Sequence, residues 1–346
     1  MKTKAAILVE SSAPLVLDEI DLPPLDVGQV LVKIDCSGIC GAQIGEIAAV
    51  KGADKFLPHL LGHEGGAVVL EVGPGVTQVQ PGDHVVMHWR KGNGIQARPA
   101  SYKWKGRTLN SGWVTTFSEH SIVSENRVTK IPKDVAFEVA ALMGCAVTTG
   151  LGLINNDAAV KIGQSIAVLG CGGVGLNVVQ GAAMVAADPI IAIDIHDQKL
   201  EMAGRFGATH LINSAKSDLR AEVRKIAGPK GVDVFVENTG VVRLIEQAYE
   251  LTVPQGRTIL VGVPPFDQDI TIHSLPLHFG KVLTGCEGGH SNPPIDIPRY
   301  LNLYQKGKLK LDEQITHRFS LYDINAALDT VRRGEAGRCI VRMTPP

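Results

Sequence analysis

Three side chains that bind borderline metals stand far apart in this sequence, each beside glycine. Cys40 lies in GICG at 38–41, His63 lies in GHEG at 62–65, and Cys145 follows a glycine. Two thiolates and one imidazole form a zinc site with three protein ligands and an open fourth position. A zinc ion held in this way polarises an oxygen bound at the open position. Single Cys and His residues more often serve in packing, so this interpretation depends on all three converging.

A glycine-rich turn, GCGGVG at 170–175, lies downstream of these residues. It follows the apolar run 166–169 and precedes a helix-compatible run at 176–187. Asp194 ends the next apolar run, nineteen residues after the turn. A strand, a glycine turn, a helix and a later acid in this order are typical of a dinucleotide site. Alone, the glycine pattern would indicate only a tight loop.

The positions of this turn have separate roles. Gly170 permits the sharp exit from the strand, Gly172 lets the backbone approach a pyrophosphate, and Gly175 lets the helix pack closely on the sheet. The helix N-terminus adds partial positive charge. Asp194 would accept hydrogen bonds from the ribose hydroxyls and repel a 2′-phosphate, which favours NAD over NADP, although a simple turn acid is the alternative. The predicted cofactor-binding residues of the turn are Gly170, Gly172, Gly173, Val174 and Gly175.

Composition excludes several classes of protein. The 346 residues fit two domains, and 34 Lys and Arg residues against 35 Asp and Glu residues leave no net field for nucleic acid or an anionic membrane. The N-terminal apolar run at 5–9 is too short for a signal-peptide core, and no later run has the length of a membrane span. Six scattered cysteines do not form a disulfide framework, which favours a reducing compartment. We therefore expect a cytoplasmic protein that binds neither nucleic acid nor membrane.

The pattern of the chain changes near residue 160. Before it, apolar runs at 5–9 and 30–34 are separated by Pro and Gly residues, which indicates a β-rich domain of hairpins. After it, apolar runs alternate with helical patterns and predict parallel strands buried by crossover helices, at 165–169, 190–194, 232–237 and 258–263. The less regular end of the chain closes with a predicted helix at 322–333 and a strand at 339–342.

These motifs are similar to those of one enzyme family. The order GICG at 38–41, GHE at 62–64 and a GC preceding TTG at 144–150 resembles the zinc-dependent medium-chain alcohol dehydrogenases. The resemblance covers essentially the whole chain, through PGDHV at 81–85, GE at 334–335 and Arg338. It implies an α/β fold with a doubly wound parallel-sheet (Rossmann) cofactor domain at 149–285. It also implies a β-rich, GroES-like catalytic domain at 1–148 and 286–346.

The resemblance implies roles for particular residues. The implied ligands of one catalytic zinc are Cys40, His63 and Cys145. Glu64 would be a nearby carboxylate or an exchanging ligand. Asp194 and Lys199 would bind the adenosine ribose, and Arg338 would approach the cofactor pyrophosphate.

The implied activity is hydride transfer between a small-molecule alcohol, or its carbonyl product, and NAD. The apolar strand 259–263 and the segment 271–277 resemble the family's subunit-pairing edge, so a homodimer or homotetramer is expected. Two alternatives stay open. One is a zinc-free quinone or enone reductase of the same superfamily, although such members generally lack the full Cys, His and Cys set. The other is a non-catalytic dinucleotide-binding protein.

Residues after the first predicted zinc ligand depart from the family pattern. Ala42 and Gly45 stand where the family has the hydroxyl and the histidine of its proton relay. Gln43 replaces an aspartate, which keeps the hydrogen bonding but removes a negative charge. Because the usual relay cannot operate, Glu46 is our hypothesis for the proton acceptor, with a solvated charge as the alternative.

The segment between the second and third predicted ligands also departs from the family. No cysteine lies between 41 and 144, so we predict one catalytic zinc per chain and no structural zinc lobe. The segment 88–107 carries six Lys and Arg residues and no acid. Cations beside aromatic faces suit phosphate, carboxylate or sugar rings. The predicted substrate is a polyol, a sugar or an anionic sugar-linked alcohol, and its predicted binding residues are Trp89, Arg90 and Lys91. The alternative is a segment in a subunit interface or one that is merely solvated.

Overall fold

The computed structural model describes residues 1–344. They form two compact units, one of Met1–Ala146 with the chain from Asn292 onward and one of Val147–Ser291. The strands, in chain order, are β1 (Lys2–Leu8), β2 (Val16–Asp21), β3 (Gln29–Gly38), β4 (His59–Leu60), β5 (Glu64–Val72), β6 (His84–His88), β7 (Tyr102–Trp104), β8 (Arg107–Leu109), β9 (His120–Ser124), β10 (Val128–Ile131), β11 (Ile166–Leu169), β12 (Ile190–Asp194), β13 (His210–Asn213), β14 (Val232–Glu237), β15 (Thr252–Leu260), β16 (Val282–Gly285), β17 (Ile315–Ser320) and β18 (Arg338–Arg342).

The α-helices are α1 (Gly41–Ile47), α2 (Phe137–Met143), α3 (Ala146–Gly152), α4 (Gly173–Met184), α5 (Asp197–Arg205), α6 (Leu219–Ala227), α7 (Val242–Glu250), α8 (Pro293–Gln305) and α9 (Ile324–Arg332). A π-helical turn at Leu153–Asp157 continues α3. No single helix within residues 1–344 is long and apolar enough to cross a membrane. The helix α2 and the helical residues 146–157 meet that requirement only when they are counted together, by length and composition.

The first unit contains two sheets. One is antiparallel, in the order β4-β1-β2-β7-β8, and the other has the order β10-β6-β5-β3-β18-β17 with β9 also paired to β3. Strand β3 is buried along most of its length because it pairs with β5 on one edge and with β9 and β18 on the other. Apolar side chains of β3, β5, β6 and α9 pack into one core. This is the β-rich unit predicted from the turn-forming residues.

Strand pairing in the first unit positions the segments that carry two predicted metal ligands. Because β3 and β5 are antiparallel, the end of β3 lies beside the start of β5, with Ser37 opposite Gly65. Cys40 lies just after β3 ends, and His63 lies just before β5 begins. Residues far apart in sequence are therefore brought to one edge of the sheet.

The second unit is a parallel sheet in the order β13-β12-β11-β14-β15-β16. Alternate residues of β11 face two different apolar cores, with Ile166 and Val168 packed against α4 and with Ala167 and Leu169 on the side of α6 and α7. Burial on both faces explains why these strands read as continuous apolar runs. The strand order reverses between β11 and β14, and ligands of such sheets bind beyond the carboxyl ends of the strands at that point. The predicted doubly wound fold is confirmed.

Candidate metal centre and nucleotide-binding turn

The three predicted metal ligands converge in the first unit. One ligand atom from each of Cys40, His63 and Cys145 lies within 4.8 Å of the others. Cys145 follows the helix α2, which packs on β5, and reaches the site through Gly144. A Cβ atom at Gly144 would lie 2.3 Å from the carbonyl oxygen of Met87, so only glycine allows this approach. The sequence predicted these ligands, and the structure places them together.

The imidazole of His63 is oriented by a neighbouring side chain. Its Nδ1 lies against the amide nitrogen of Gln43, while its Nε2 is buried and has no hydrogen-bond partner within residues 1–344. Gln43 is itself held because its Oε1 accepts a hydrogen bond from the backbone N–H of Cys40, at 2.7 Å. A buried imidazole nitrogen without a partner, facing two thiols, fits a zinc ion. The group that would complete the three-ligand set is a divalent metal.

A hydrogen bond between the two thiols shifts the pKa values of Cys40 and Cys145 in opposite directions. The Cys145 thiol donates to Cys40, which lowers the pKa of Cys40 well below its usual value, against the effect of burial. His63 and Arg338 lower the pKa of Cys40 further. The same hydrogen bond, together with burial, raises the pKa of Cys145. Binding of a metal to both sulfurs must therefore release the proton of Cys145.

A buried ion pair lies beside the metal ligands. The Arg338 guanidinium donates to Oε1 of Glu64, and the two side chains are 4 % and 0 % exposed. Burial raises the pKa of Glu64, and the charge of Arg338 opposes that shift. Burial alone would lower the pKa of Arg338, but Glu64 and Cys40 together raise it. Both residues thus belong to the metal centre, and the contact of Arg338 with a pyrophosphate stays a prediction.

Glu46, the predicted proton acceptor, lies on α1 with Gln43. Its side chain is exposed to solvent on one side but is surrounded by protein on the other. This partial desolvation raises the pKa of Glu46, while the nearby His59 and His63 oppose the shift. A carboxyl group with a raised pKa is better matched to proton transfer near neutral pH than an ordinary surface glutamate.

The glycine turn has the geometry expected for a pyrophosphate. Gly170 adopts a positive φ of +89°, and a Cβ at Gly172 would meet no atom of the described residues within 4 Å. A Cβ at Gly175 would lie 2.0 Å from the carbonyl oxygen of Gly170, so the helix could not approach the strand with any other residue there. The helix α4 begins at Gly173. The turn therefore leaves open space at the helix N-terminus, where an anion is stabilised.

Asp194 holds this turn in place. Its Oδ2 accepts a hydrogen bond from the N–H of Cys171 at 2.8 Å, and its Oδ1 accepts from Ile195 at 2.8 Å and His196 at 3.0 Å. The sequence predicted a ribose contact, whereas the observed bonds also give Asp194 a local structural function. Lys199 lies on α5, half-buried, and its predicted contact with the ribose stays a prediction.

The basic segment 88–107 divides into two parts. Its second half forms the hairpin β7–β8, where the indole of Trp104 donates to Asp18 at 2.9 Å and Lys105 lies 3.1 Å from the same carboxylate. Those contacts are internal to the unit. The first half follows β6, with Trp89 and Arg90 half-buried and Lys91 exposed.

Arg127 was not predicted from the sequence, although it adjoins this segment. It lies in the 3₁₀ turn Glu125–Arg127 and donates a hydrogen bond to the carbonyl oxygen of Trp89, 38 residues away. No local pattern identifies it. In the sequence it is only one basic residue in a short polar connection, Glu125–Arg127, between two strands.

Comparisons with known proteins agree with this geometry. The family model described as "Alcohol dehydrogenase GroES-like domain" matches residues 26–133, and that described as "Zinc-binding dehydrogenase" matches residues 173–306. The chain is 34 % identical to an alcohol dehydrogenase class-3 of Cereibacter sphaeroides, over 99 % of this chain and 100 % of the relative. It is also 34 % identical to an S-(hydroxymethyl)glutathione dehydrogenase of Paracoccus denitrificans, with the same coverage.

Two solved structures are similar over their whole length. One is an alcohol dehydrogenase zinc-binding domain protein from Burkholderia ambifaria, with a TM-score of 0.91, 28 % identity and coverage of 100 % of both chains. The other is the benzyl alcohol dehydrogenase of Acinetobacter calcoaceticus, with a TM-score of 0.90, 28 % identity and coverage of 99 % of this chain and 100 % of that one.

Proposed function

Since this chain belongs to the zinc-dependent medium-chain alcohol dehydrogenases, we propose that it transfers a hydride between an alcohol and NAD at a zinc ion held by Cys40, His63 and Cys145. The observation that carries the proposal is the convergence of these three donors within 4.8 Å. We assign the catalytic role to the first unit and the cofactor to the second. We further propose one zinc per chain.

The residues around the donors prepare the site for this chemistry. When bound, zinc lowers the pKa of the alcohol hydroxyl, so that hydride leaves more readily for the nicotinamide. Gln43 fixes the ring plane of His63 and thereby directs Nε2 toward the two sulfurs. Arg338 balances the charge of Glu64 and of the Cys40 thiolate. Glu46 is the proposed acceptor of the hydroxyl proton.

The cofactor assignment depends on the turn and on Asp194. The open space at Gly172 and the N-terminus of α4 suit a pyrophosphate. The carboxylate of Asp194 would repel a 2′-phosphate, which supports NAD over NADP. The family-derived roles of Lys199 and Arg338 are part of this proposal.

We also propose a homo-oligomer, either a dimer or a tetramer. The edge strand β16 and the segment before it expose large apolar side chains, including Phe266 and Phe279, which are 81 % and 68 % exposed. Exposed apolar side chains at a sheet edge are typical of subunit pairing. The segment 271–277, which resembled a pairing edge in sequence, is not a strand here.

A metal-removal assay tests the proposed function. Zinc-loaded protein is expected to reduce NAD with benzyl alcohol, to lose this activity on dialysis against a chelator, and to recover it when zinc is added. NADP should be used less efficiently by a factor on the order of tenfold or more, equivalent to about 1.4 kcal/mol of repulsion by Asp194. Activity that survives complete removal of zinc would instead favour a zinc-free reductase of the same superfamily.

The pH dependence tests the role of Glu46. Because the acceptor form is the carboxylate, the rate should fall as pH falls through the raised pKa of Glu46. The Glu46→Gln variant is expected to lower kcat by about 10²-fold and to lose this acidic limb of the profile. Glu10→Gln, at an exposed position, is the matched control. An unchanged profile in Glu46→Gln would exclude Glu46 from proton transfer.

A further inference from the structure

Arg127 is a buried cation whose observed partners are neutral. The residue is 5 % exposed, and its guanidinium donates to the carbonyl oxygen of Trp89 and, at 3.1 Å, to Oε1 of Gln96. No residue in the described part of the chain accepts a hydrogen bond from its Nε. Within residues 1–344, no carboxylate forms an ion pair with Arg127. The nearest acid in sequence, Glu125, is engaged instead by backbone N–H groups that include Thr77, Gln78 and Ile95.

A second guanidinium lies close to the first. Burial lowers the pKa of Arg127, and the positive charge of Arg90 lowers it further. Each guanidinium lies by an indole ring, Arg127 at 5.7 Å from the ring centre of Trp113 and Arg90 at 5.8 Å from that of Trp89. A buried cation beside a like charge is costly unless an anion compensates it. We call these four residues the arginine–tryptophan cluster.

The cluster adjoins the metal centre through the backbone of the first unit. Trp89 directly follows His88, which lies opposite Glu64 in the pairing of β6 with β5. Trp113 precedes by three residues Thr116, whose hydroxyl shares a 2.7 Å hydrogen bond with Ser37 at the end of β3. A molecule with its hydroxyl at the metal centre could therefore extend toward the cluster.

We propose that the arginine–tryptophan cluster binds an anionic group, a carboxylate or a phosphate, carried by the alcohol substrate. The planar guanidinium presents a fork of N–H donors that matches both anions, and the indoles provide flat apolar walls for the rest of the molecule. The inference rests on the proposed alcohol dehydrogenase activity and specifies its substrate class. It names Arg127 in place of Lys91, which the sequence alone suggested, because Lys91 is exposed to solvent whereas Arg127 is buried.

Matched alcohols test this inference. Zinc-loaded protein is assayed with NAD on benzyl alcohol against 4-(hydroxymethyl)benzoate, and on glycerol against glycerol 3-phosphate. We expect one anionic member to exceed its neutral partner in kcat/KM by about 10- to 100-fold, the range for hydrogen bonds to a charged group. The carboxylate pair and the phosphate pair distinguish the two anions. Equal kcat/KM values within both pairs would overturn the inference while leaving the dehydrogenase activity established.

Substitutions in the arginine–tryptophan cluster test whether it causes the preference for the anionic alcohol. In Arg127→Gln the ratio of anionic to neutral kcat/KM should fall by about 10-fold or more, chiefly through KM. The ratio for Arg127→Lys should lie between those of Arg127→Gln and the unsubstituted protein, because lysine keeps the charge but not the fork of N–H donors. A general folding defect would lower both rates without changing their ratio. Arg90→Gln, at a less buried position, provides an independent variant if Arg127→Gln does not fold.

The control for these variants is Arg98→Gln, at an exposed position of the same basic segment. It should leave the ratio unchanged. A preference that persists in both Arg127→Gln and Arg90→Gln, or that is lost equally in Arg98→Gln, would contradict the assignment. Failure of every alcohol to reduce NAD would instead count against the proposed function itself.

Discussion

Replacing His63 with alanine is expected to abolish zinc binding and to lower kcat/KM by about 10³-fold. Zinc supplies several kcal/mol of transition-state stabilisation, and each 1.36 kcal/mol corresponds to about tenfold in rate. The two remaining thiols supply only two of the three protein ligands, because the substitution removes the buried Nε2 of His63. Zinc content by plasma mass spectrometry and steady-state kinetics measure the two effects.

His210→Ala is the matched control for this substitution. His210 is exposed at the edge of the other unit, and within residues 1–344 its ring forms a hydrogen bond only with Thr209. It should retain its zinc and its rate. A His63→Ala protein that keeps both full zinc content and activity would place the metal elsewhere in the chain.

Replacing Arg338 with methionine is expected to destabilise the metal-free protein by roughly 3–5 kcal/mol. That is the usual cost of removing one partner of a buried ion pair, because the other charge stays buried without compensation. Here the uncompensated group would be Glu64, whose Oε1 accepts from Arg338 and whose Oε2 has no hydrogen-bond partner among the residues that the structure describes. Urea unfolding followed by tryptophan fluorescence measures the change in the free energy of unfolding.

Two further variants separate this cost from a general effect of losing arginine. The double variant Glu64→Leu with Arg338→Met should recover most of the lost stability, since apolar pairs often replace buried ion pairs without penalty. Arg332→Met removes an exposed pair with Asp329 and should cost less than about 1 kcal/mol. Equal losses in Arg338→Met and Arg332→Met would mean that the buried pair has no special role in folding.

The three candidate metal ligands could be identified from sequence, but their closeness in space could not. Glycines beside Cys40, His63 and Cys145 distinguish these residues from packing residues. Their convergence depends on the antiparallel register of β3 and β5 and on the fit of Gly144 against Met87. Such contacts join residues far apart in the chain, and no local pattern specifies them.

Some predicted element bounds were wrong for backbone reasons. The strand predicted at 258–263 is observed as β15, which ends at Leu260, because the chain must pass close to Gly240 through Gly262. A Cβ at Gly262 would lie 2.0 Å from the nitrogen of Gly240, and the apolar residues 261 and 263 beside it lie outside the strand. The helix predicted at 176–187 begins at Gly173 and ends at Met184, before Ala186 adopts a φ of 55°.

The basic segment 88–107 shows the limit of reading charge from sequence. Its charges suggested one binding surface, yet Lys105 and Trp104 pair with Asp18, a residue 86 positions from Trp104. Arg127, outside the segment, instead joins Trp89. Which charges are neutralised within the protein depends on long-range packing, and that packing appears only in three dimensions.

X-ray absorption at the zinc edge of the full-length, zinc-loaded protein tests the central claim most directly. Our account predicts about one zinc per chain, bound by two sulfur ligands at about 2.3 Å and by one imidazole nitrogen at about 2.0–2.1 Å, with a light-atom ligand in the fourth position. The same spectrum recorded on Cys145→Ser should lose one of the two sulfur ligands. A zinc ion without sulfur ligands, or a zinc spectrum that is unchanged in Cys145→Ser, would contradict the proposed zinc site.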